Sequence, residues 1–150
     1  MTHSLVHKSF VIERMLDASP AKVYNAFAKP EAKAVWLATP EALEKGTYML
    51  DFKVGGSEIN TGGPEGGPIY TYKAYYQDIV PNERIIYTYH MDMDSKRISV
   101  SLATVEFFPT DTGTKLVLTE NGTYLDDLDT SESREHGTNE LIDAMVASLK

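Results

Sequence analysis

Alternation of apolar and polar residues predicts a series of β-strands along most of the chain. Between residues 47 and 54 the side chains of Tyr48, Leu50, Phe52 and Val54 fall on one face, which is the period of a half-buried strand. Similar reasoning predicts strands at residues 10–16, 57–60, 69–80, 84–90, 98–108 and 114–120. Short polar connections separate the last four, so we expect them to pair as antiparallel neighbours.

Two short helices are predicted after the first strand. Ser19 and Pro20 form a helix start, because serine accepts a bond from an unpaired amide and the fixed φ of proline suits the first helical position. A second helix, over residues 31–37, carries Trp36, the sole tryptophan of the chain, and stops before Pro40.

A long helix is predicted at the C-terminal end, from about residue 131 to residue 149. Thr138 lies at the N-terminal end of its apolar stripe, which consists of Leu141, Ile142, Met145 and Leu149. A sheet of six or seven strands has to cover an apolar face, and this is the only long helix available for that. The pattern therefore predicts one α+β domain over residues 1–150, with a curved antiparallel sheet around the C-terminal helix.

Composition narrows the function classes. The chain contains no cysteine, which removes disulfide scaffolds, thiolate zinc sites and cysteine nucleophiles. A formal net charge of -8 with scattered Lys and Arg disfavours binding to nucleic acid or anionic lipid. The N-terminus lacks a basic stretch followed by a long apolar run, and no segment approaches the ~18 apolar residues of a spanning helix. We therefore expect a cytoplasmic protein without membrane insertion.

An ordered set of short motifs resembles a known family. The motifs are Ala18-Ser19-Pro20, Pro30 with Trp36, Asp51-Phe52-Lys53-Val54-Gly55-Gly56, Ile79-Val80-Pro81-Asn82-Glu83-Arg84-Ile85, Val105-Glu106-Phe107 and Gly113-Thr114-Lys115-Leu116. Together they are similar to the domain family named after the activator of the 90-kDa heat-shock protein ATPase, within the START-related, Bet v 1-like (SRPBCC) superfamily. The likeness runs from Phe10 to Leu149.

The resemblance implies a helix-grip fold, in which sheet and long helix enclose an elongated, mostly apolar cavity. Members of the family include ligand carriers, a few enzymes and domains that bind the heat-shock chaperone. Bacterial relatives often carry Gly-Trp in the C-terminal helix, where this chain has Gly137-Thr138. Without that indole, one end of the cavity is expected to be wider or differently lined.

Tyrosines on two consecutive strands are the main candidates for a ligand site. If even positions of the first strand and odd positions of the second face inward, their hydroxyls line a cavity against Trp36 and the helix stripe. Ordinary core packing explains the same residues. The candidate ligand-binding residues are Trp36, Phe52, Tyr72, Tyr76, Tyr87, Tyr89, Glu120, Thr138, Ile142 and Met145, with Tyr70 on the same pattern.

Glu120 permits two interpretations. Like Leu116 and Leu118, it occupies an even position of the predicted strand, so simple alternation places its side chain on the inner face of the sheet. Burial of an unpaired carboxylate there would cost free energy. In the other interpretation the strand has already ended and Glu120 is solvated. An inward Glu120 would have its pKa raised by desolvation and could serve as a general acid or base.

Other motifs point to no metal, cofactor or nucleophile. His90, Asp92 and Asp94 fall in a predicted polar turn, and His136 is expected at an exposed helix position. The glycine-rich run at residues 61–68 lacks a phosphate-binding pattern and suits a hairpin loop or a lip over a cavity mouth. Gly55-Gly56-Ser57-Glu58-Ile59 lacks the final glycine of a nucleophile elbow.

Three functions remain open at this point. The leading one is a non-catalytic domain that holds a small apolar or aromatic ligand between sheet and helix. The alternatives are a partner-protein module, such as a regulator of the heat-shock chaperone ATPase, and a cyclase- or hydrolase-like enzyme that uses a pocket carboxylate. A homodimer is the favoured assembly. Trp36 is expected at one end of the cavity, because the short helices must close the side of the sheet that the long helix leaves open.

Overall fold

A seven-stranded antiparallel sheet forms the body of the computed structural model, which describes residues 3–150. Met1 and Thr2 belong to the N-terminal segment assessed for a signal sequence and lie outside the described residues. The strand order is β1-β7-β6-β5-β4-β3-β2. The strands are β1 (Leu5–Leu16), β2 (Tyr48–Leu50), β3 (Ser57–Gly62), β4 (Tyr70–Val80), β5 (Arg84–Met93), β6 (Lys96–Pro109) and β7 (Thr114–Leu125).

Within residues 3–150 four helices lie along this sheet, and their starts follow from local capping chemistry. They are α1 (Pro20–Ala28), α2 (Pro30–Leu37), α3 (Pro40–Lys45) and α4 (Ser131–Ser148). The Ser19 hydroxyl accepts a hydrogen bond from the Lys22 amide at 3.2 Å, as expected of an N-cap. The long helix α4 packs against α2 and β1. The predicted α+β, helix-grip architecture is confirmed.

The helix α3 was not predicted, because Pro40 was interpreted only as a stop signal. Thr39 is the N-cap of α3, and its hydroxyl accepts from the Ala42 amide at 3.0 Å. Gly46 ends the helix in the left-handed conformation, with φ of 70°. Three short helices therefore follow β1, not two.

Several strand boundaries differ from the predicted ones. β7 continues through Asn121-Gly122 to Leu125, because it is paired with both β1 and β6 and its ladder outweighs the turn preference of that dipeptide. β5 and β6 extend until only Asp94 and Ser95 connect them, so that His90 and Asp92 lie on a strand and not in a turn. The strand predicted for residues 47–54 ends at Leu50.

The core lies between the sheet and helices α1, α2 and α4. Aromatic rings meet edge to face across this layer, such as Phe27 with Phe107 at 5.6 Å and Phe52 with Tyr76 at 4.9 Å between centroids. Register shifts next to Tyr76 and Met91 interrupt the ladders of β5, and such bulges bend strands. The bent sheet wraps α4. None of the helices among residues 3–150 is long and apolar enough to cross a membrane.

Gly137, inside α4, offers a simple test of this packing. A Cβ atom there would meet no atom within 4 Å, and alanine is preferred over glycine inside helices. We expect Gly137→Ala to raise the free energy of unfolding by about 1 kcal/mol, measured by urea denaturation. Gly113→Ala is the control, because its Cβ would collide with the Leu16 carbonyl oxygen and destabilise the fold. A Gly137→Ala variant less stable than the wild type would contradict the placement of this residue.

Candidate functional site

A cavity of about 310 Å³ lies between the inner face of the sheet and the helices α2 and α4. Its wall combines aromatic, aliphatic and charged side chains. The lining residues are Phe27, Lys33, Trp36, Leu37, Asn60, Tyr72, Tyr87, Tyr89, Met91, Leu118, Glu120, Asp129, Ser133, Arg134, Gly137, Thr138, Leu141 and Ile142.

Seven of the ten candidate residues line this cavity, and three do not. Those in the wall are Trp36, Tyr72, Tyr87, Tyr89, Glu120, Thr138 and Ile142. Tyr76 and Met145 are buried in the core, and Phe52 packs against that core. Tyr70 is exposed and lines an adjoining groove instead.

The groove, of about 500 Å³, shares Leu37, Asn60, Tyr72 and Met91 with the cavity. Its other side is formed by α3 and by Gly62 and Gly63 of the glycine-rich run. The two spaces are therefore neighbours, and the groove lies at one end of the cavity.

Small residues on the sheet make room beneath the aromatic wall. Ala74 on β4 and Ala103 on β6 are fully buried and pack with Tyr89. Ala103 is paired with Tyr87 on one side and with Glu120 on the other. Because alanine fills little of this inward row, the tyrosine and the carboxylate border open space instead of another large side chain.

Trp36 lies in the α2 side of the cavity wall. Its ring lies 5.2 Å from that of Phe27, centroid to centroid, and its indole Nε1 donates to the Ala26 carbonyl at 3.0 Å. The indole thus joins α1 to α2 and leaves one part of its surface in the cavity wall.

A buried ion pair joins α2 to the sheet. Lys33 is 4% exposed and Glu58 is 0% exposed, and the Lys33 Nζ donates to a Glu58 oxygen at 2.7 Å. The Tyr48 hydroxyl donates to the other Glu58 oxygen at 2.7 Å. Burial and the nearby Glu58 carboxylate raise the pKa of both the Tyr72 and the Tyr76 hydroxyl. Both hydroxyls therefore remain protonated and can donate hydrogen bonds.

A second charged cluster joins the start of α4 to the sheet. The Arg134 Nη2 donates to Asp129 and to the Ser99 hydroxyl, both at 2.7 Å, and the Nη1 donates to the Tyr89 hydroxyl at 2.8 Å. The Tyr89 hydroxyl in turn donates to Glu120 at 2.8 Å.

Glu120 is 2% exposed, so the inward interpretation is the correct one. The strand did not end at this residue, because β7 continues to Leu125. Burial raises the pKa of Glu120, although the bond from Tyr89 and the charge of Arg134 act in the opposite direction. Glu120 therefore protonates more readily than an exposed glutamate.

Lys33, Glu58 and Arg134 were missed by sequence reasoning. Lys33 precedes Trp36 by three residues on the same helix, a spacing that places both side chains on one face. The apolar stripe of the 131–149 helix begins at Thr138, so the pattern predicted no buried role for Arg134, which lies four residues earlier. Charged residues are rarely buried unless paired, and these pairs form between elements distant in sequence.

The polar residues that were set aside have surface roles. Asp92 binds Arg97 on the neighbouring strand at 2.9 Å, which lowers the pKa of Asp92. His136 is largely exposed and lies 2.7 Å from Glu140. Within residues 3–150 no group of three or more His, Asp and Glu side chains is arranged to hold a metal ion.

Residues 17–150 match the family described as "Activator of Hsp90 ATPase homolog 1-like protein". The chain belongs to this family. The resemblance drawn from the motifs is thereby confirmed, and the fold of the family commonly holds ligands in a cavity.

Solved structures of bacterial proteins support the assignment. An uncharacterised protein of Rhizobium leguminosarum is 41% identical, with a TM-score of 0.93, and the match covers 99% of this chain and 98% of that one. A protein of Rhizobium loti is 38% identical over 97% of this chain and 99% of that one, with a TM-score of 0.90. A protein of Chromobacterium violaceum is 26% identical over 94% and 96%, with a TM-score of 0.76. No curated protein matches the chain.

Proposed function

We propose that this family member binds a small, mainly aromatic or apolar molecule in the cavity between the sheet and α4, without catalysing a reaction on it. The observation that supports the proposal most is the cavity itself. It offers about 310 Å³ of space, within the range of small-molecule sites.

The wall has the composition of a ligand site. Five aromatic side chains, of Phe27, Trp36, Tyr72, Tyr87 and Tyr89, provide large and rigid contact surfaces. A few polar groups stand among them, and the clusters around Lys33 and Arg134 hold those groups in place through mutual hydrogen bonds. A preorganised wall lowers the entropic cost of binding.

Native mass spectrometry of the purified protein and a thermal-shift screen with aromatic metabolites and lipids test the proposal directly. A bound small molecule, or a rise in melting temperature with one class of compound, is the expected result. If no molecule copurifies and no compound raises the melting temperature, that result counts against the proposal.

Filling the cavity should remove binding. Thr138 lines the cavity from α4, and Thr138→Phe places a ring in that space. We expect affinity for neutral aminoanthracene, followed by its fluorescence, to fall by about tenfold or more, because the bulkier wall excludes the probe. His136→Phe puts the same ring on the exposed face of α4 and should leave the affinity unchanged. Equal affinities in the two variants would place the probe outside the cavity.

Glu120 supports proton-transfer catalysis as a second candidate. It is a cavity carboxylate whose pKa is raised by burial, which is the arrangement of a general acid or base. Mass spectrometry of any molecule that copurifies, before and after prolonged incubation with fresh protein, distinguishes the two functions. A chemical change with the wild type but not with Glu120→Gln would favour the enzyme, and an unchanged molecule favours simple binding.

A further inference from the structure

The charges around the cavity do not balance. Four charged side chains of the described residues line it, and Glu58 lies directly behind Lys33. These five groups are two cations and three carboxylates, which leaves an excess of one negative charge when all are ionised. In an interior of low polarity such an excess is costly, and a ligand of opposite charge removes that cost.

The excess charge is localised at Glu120. Lys33 is matched by Glu58 at 2.7 Å, and Arg134 is matched by Asp129 at the same distance. The Arg134 Nη1 lies 3.9 Å from the nearest Glu120 oxygen, because it is bonded instead to the Tyr89 hydroxyl. Glu120 therefore receives a hydrogen bond from Tyr89, and the cation nearest to it, Arg134, is not hydrogen-bonded to it and is shared with Asp129.

The aromatic wall is suited to a positive charge. The face of an aromatic ring is electron-rich and attracts cations within about 6 Å of its centroid. Two cations of the protein already use these faces, since the Lys33 Nζ lies 5.9 Å from both the Trp36 and Tyr87 rings and the Arg134 guanidinium lies 5.5 Å from Tyr89. The Tyr87 and Tyr72 hydroxyls stay protonated, because burial raises their pKa, and add no negative charge.

We infer that the ligand is a small organic cation, a protonated or quaternary amine on an aromatic or aliphatic body, with its charge against Glu120 and its body among the aromatic side chains. The inference rests on the proposed function and specifies the class of molecule. An anionic ligand would place a second negative charge beside Glu120 and be repelled by it. A neutral ligand would leave the excess negative charge of the cavity without a compensating cation.

The protonation of Glu120 gives this inference a pH dependence. The groups around Glu120 are Tyr87 and Tyr89 from β5, Arg134 from α4, Asp129 from the preceding segment and Tyr124 from its own strand. Burial raises the pKa of Glu120 in the free protein, and a cation beside the carboxylate would lower it again. Binding of a cation should therefore release a proton and weaken as the pH falls through the raised pKa.

Three probes that differ mainly in charge test the inference, namely naphthylmethylamine, naphthylmethanol and naphthoate. By isothermal titration calorimetry at neutral pH we expect the amine to bind about tenfold or more tightly than the alcohol, and naphthoate to bind most weakly. The permanently charged (naphthylmethyl)trimethylammonium ion should bind more weakly at acid pH, where only the protein titrates.

Glu120→Gln removes the charge and keeps an oxygen that accepts from Tyr89. In this variant the amine should lose its preference over the alcohol, while the exposed control Glu140→Gln should retain it. Circular dichroism and the melting temperature show whether the variants are folded. The ranking of the three probes on the wild type tests the inference even if Glu120→Gln does not fold.

The outcomes separate this inference from the proposed function. Comparable binding of all three probes, weakened in each case by Thr138→Phe, would leave the cavity as a ligand site and overturn the inference. Retention of the amine preference in Glu120→Gln would also overturn it. Failure of all three probes to bind the wild type would overturn the inference and count against the proposed function as well.

Discussion

Lys33→Met is expected to lower the free energy of unfolding by about 3–5 kcal/mol, because it leaves the Glu58 carboxylate buried without its cation. Glu58 is fully buried, and the Lys33 Nζ lies 2.7 Å from one of its oxygens. Within residues 3–150, tyrosine hydroxyls are its only other donors, from Tyr48 to one oxygen at 2.7 Å and from Tyr72 and Tyr76 to the other at 3.4 and 3.5 Å, and these carry no positive charge. Chemical denaturation followed by circular dichroism at neutral pH measures the loss.

Two further variants show whether the loss comes from the unpaired charge. Combining Lys33→Met with Glu58→Gln removes both charges, so the double variant should be more stable than Lys33→Met alone. Lys45→Met breaks an exposed pair with Glu41 on α3 and should change the free energy of unfolding by no more than about 0.5 kcal/mol. Equal losses for Lys33→Met and Lys45→Met would show that burial of the Lys33–Glu58 pair has no energetic consequence.

Trp36→Ala is expected to cost about 3–5 kcal/mol of stability through cavity formation and to weaken ligand binding as well. The indole packs against Phe27, donates to the Ala26 carbonyl and forms part of the cavity wall. Its removal therefore loses these contacts between α1 and α2 and enlarges the cavity at the same end. Thermal and urea denaturation measure the first effect, and calorimetry with naphthylmethylamine measures the second.

Val35→Ala is the matched control for this substitution. Val35 is the preceding residue on α2 and is 71% exposed, so its truncation should stay within roughly 0.5 kcal/mol. Trp36 is the sole indole, and its emission in the wild type should shift or be quenched when the amine binds. An unchanged emission spectrum at saturating ligand, together with an unchanged melting temperature for Trp36→Ala, would exclude this residue from the site.

The fold was largely predictable because its signals are local. Period-two alternation predicted the strands, and Ser19 with Pro20 predicted the start of α1 through backbone chemistry that needs no tertiary contact. The errors occurred where local signals conflict. Pro40 is compatible with both the end of one helix and the start of another, and Asn121-Gly122 favours a turn until two neighbouring strands hold it in a ladder.

The candidate site was predicted less completely than the fold. Tyr87 and Glu120 were proposed from the alternation of their strands and Trp36 from the need to close the open side of the sheet, and all three lie in the cavity wall. Tyr76 occupies an even position on the same strand as Tyr72 and so lies on the same face of the sheet, yet it packs into the core. Alternation identifies the face of a sheet on which a residue lies, but not which elements cover that part of the face.

Local patterns in the sequence were enough to predict the strands, most helix starts, the family and the aromatic character of the sheet's inner face. The contacts of Lys33 with Glu58, and of Arg134 with Asp129, Ser99 and Tyr89, exist only once the elements are packed together. The periodicity of apolar residues indicates which positions are buried, because burial is driven by the hydrophobic effect. That effect is not directional, so it does not indicate which buried side chains contact one another. The pairing of buried charges depends on distances of about 3 Å between atoms from different elements, which only the packed chain sets. For that reason the unmatched charge of Glu120 becomes visible only in the folded protein.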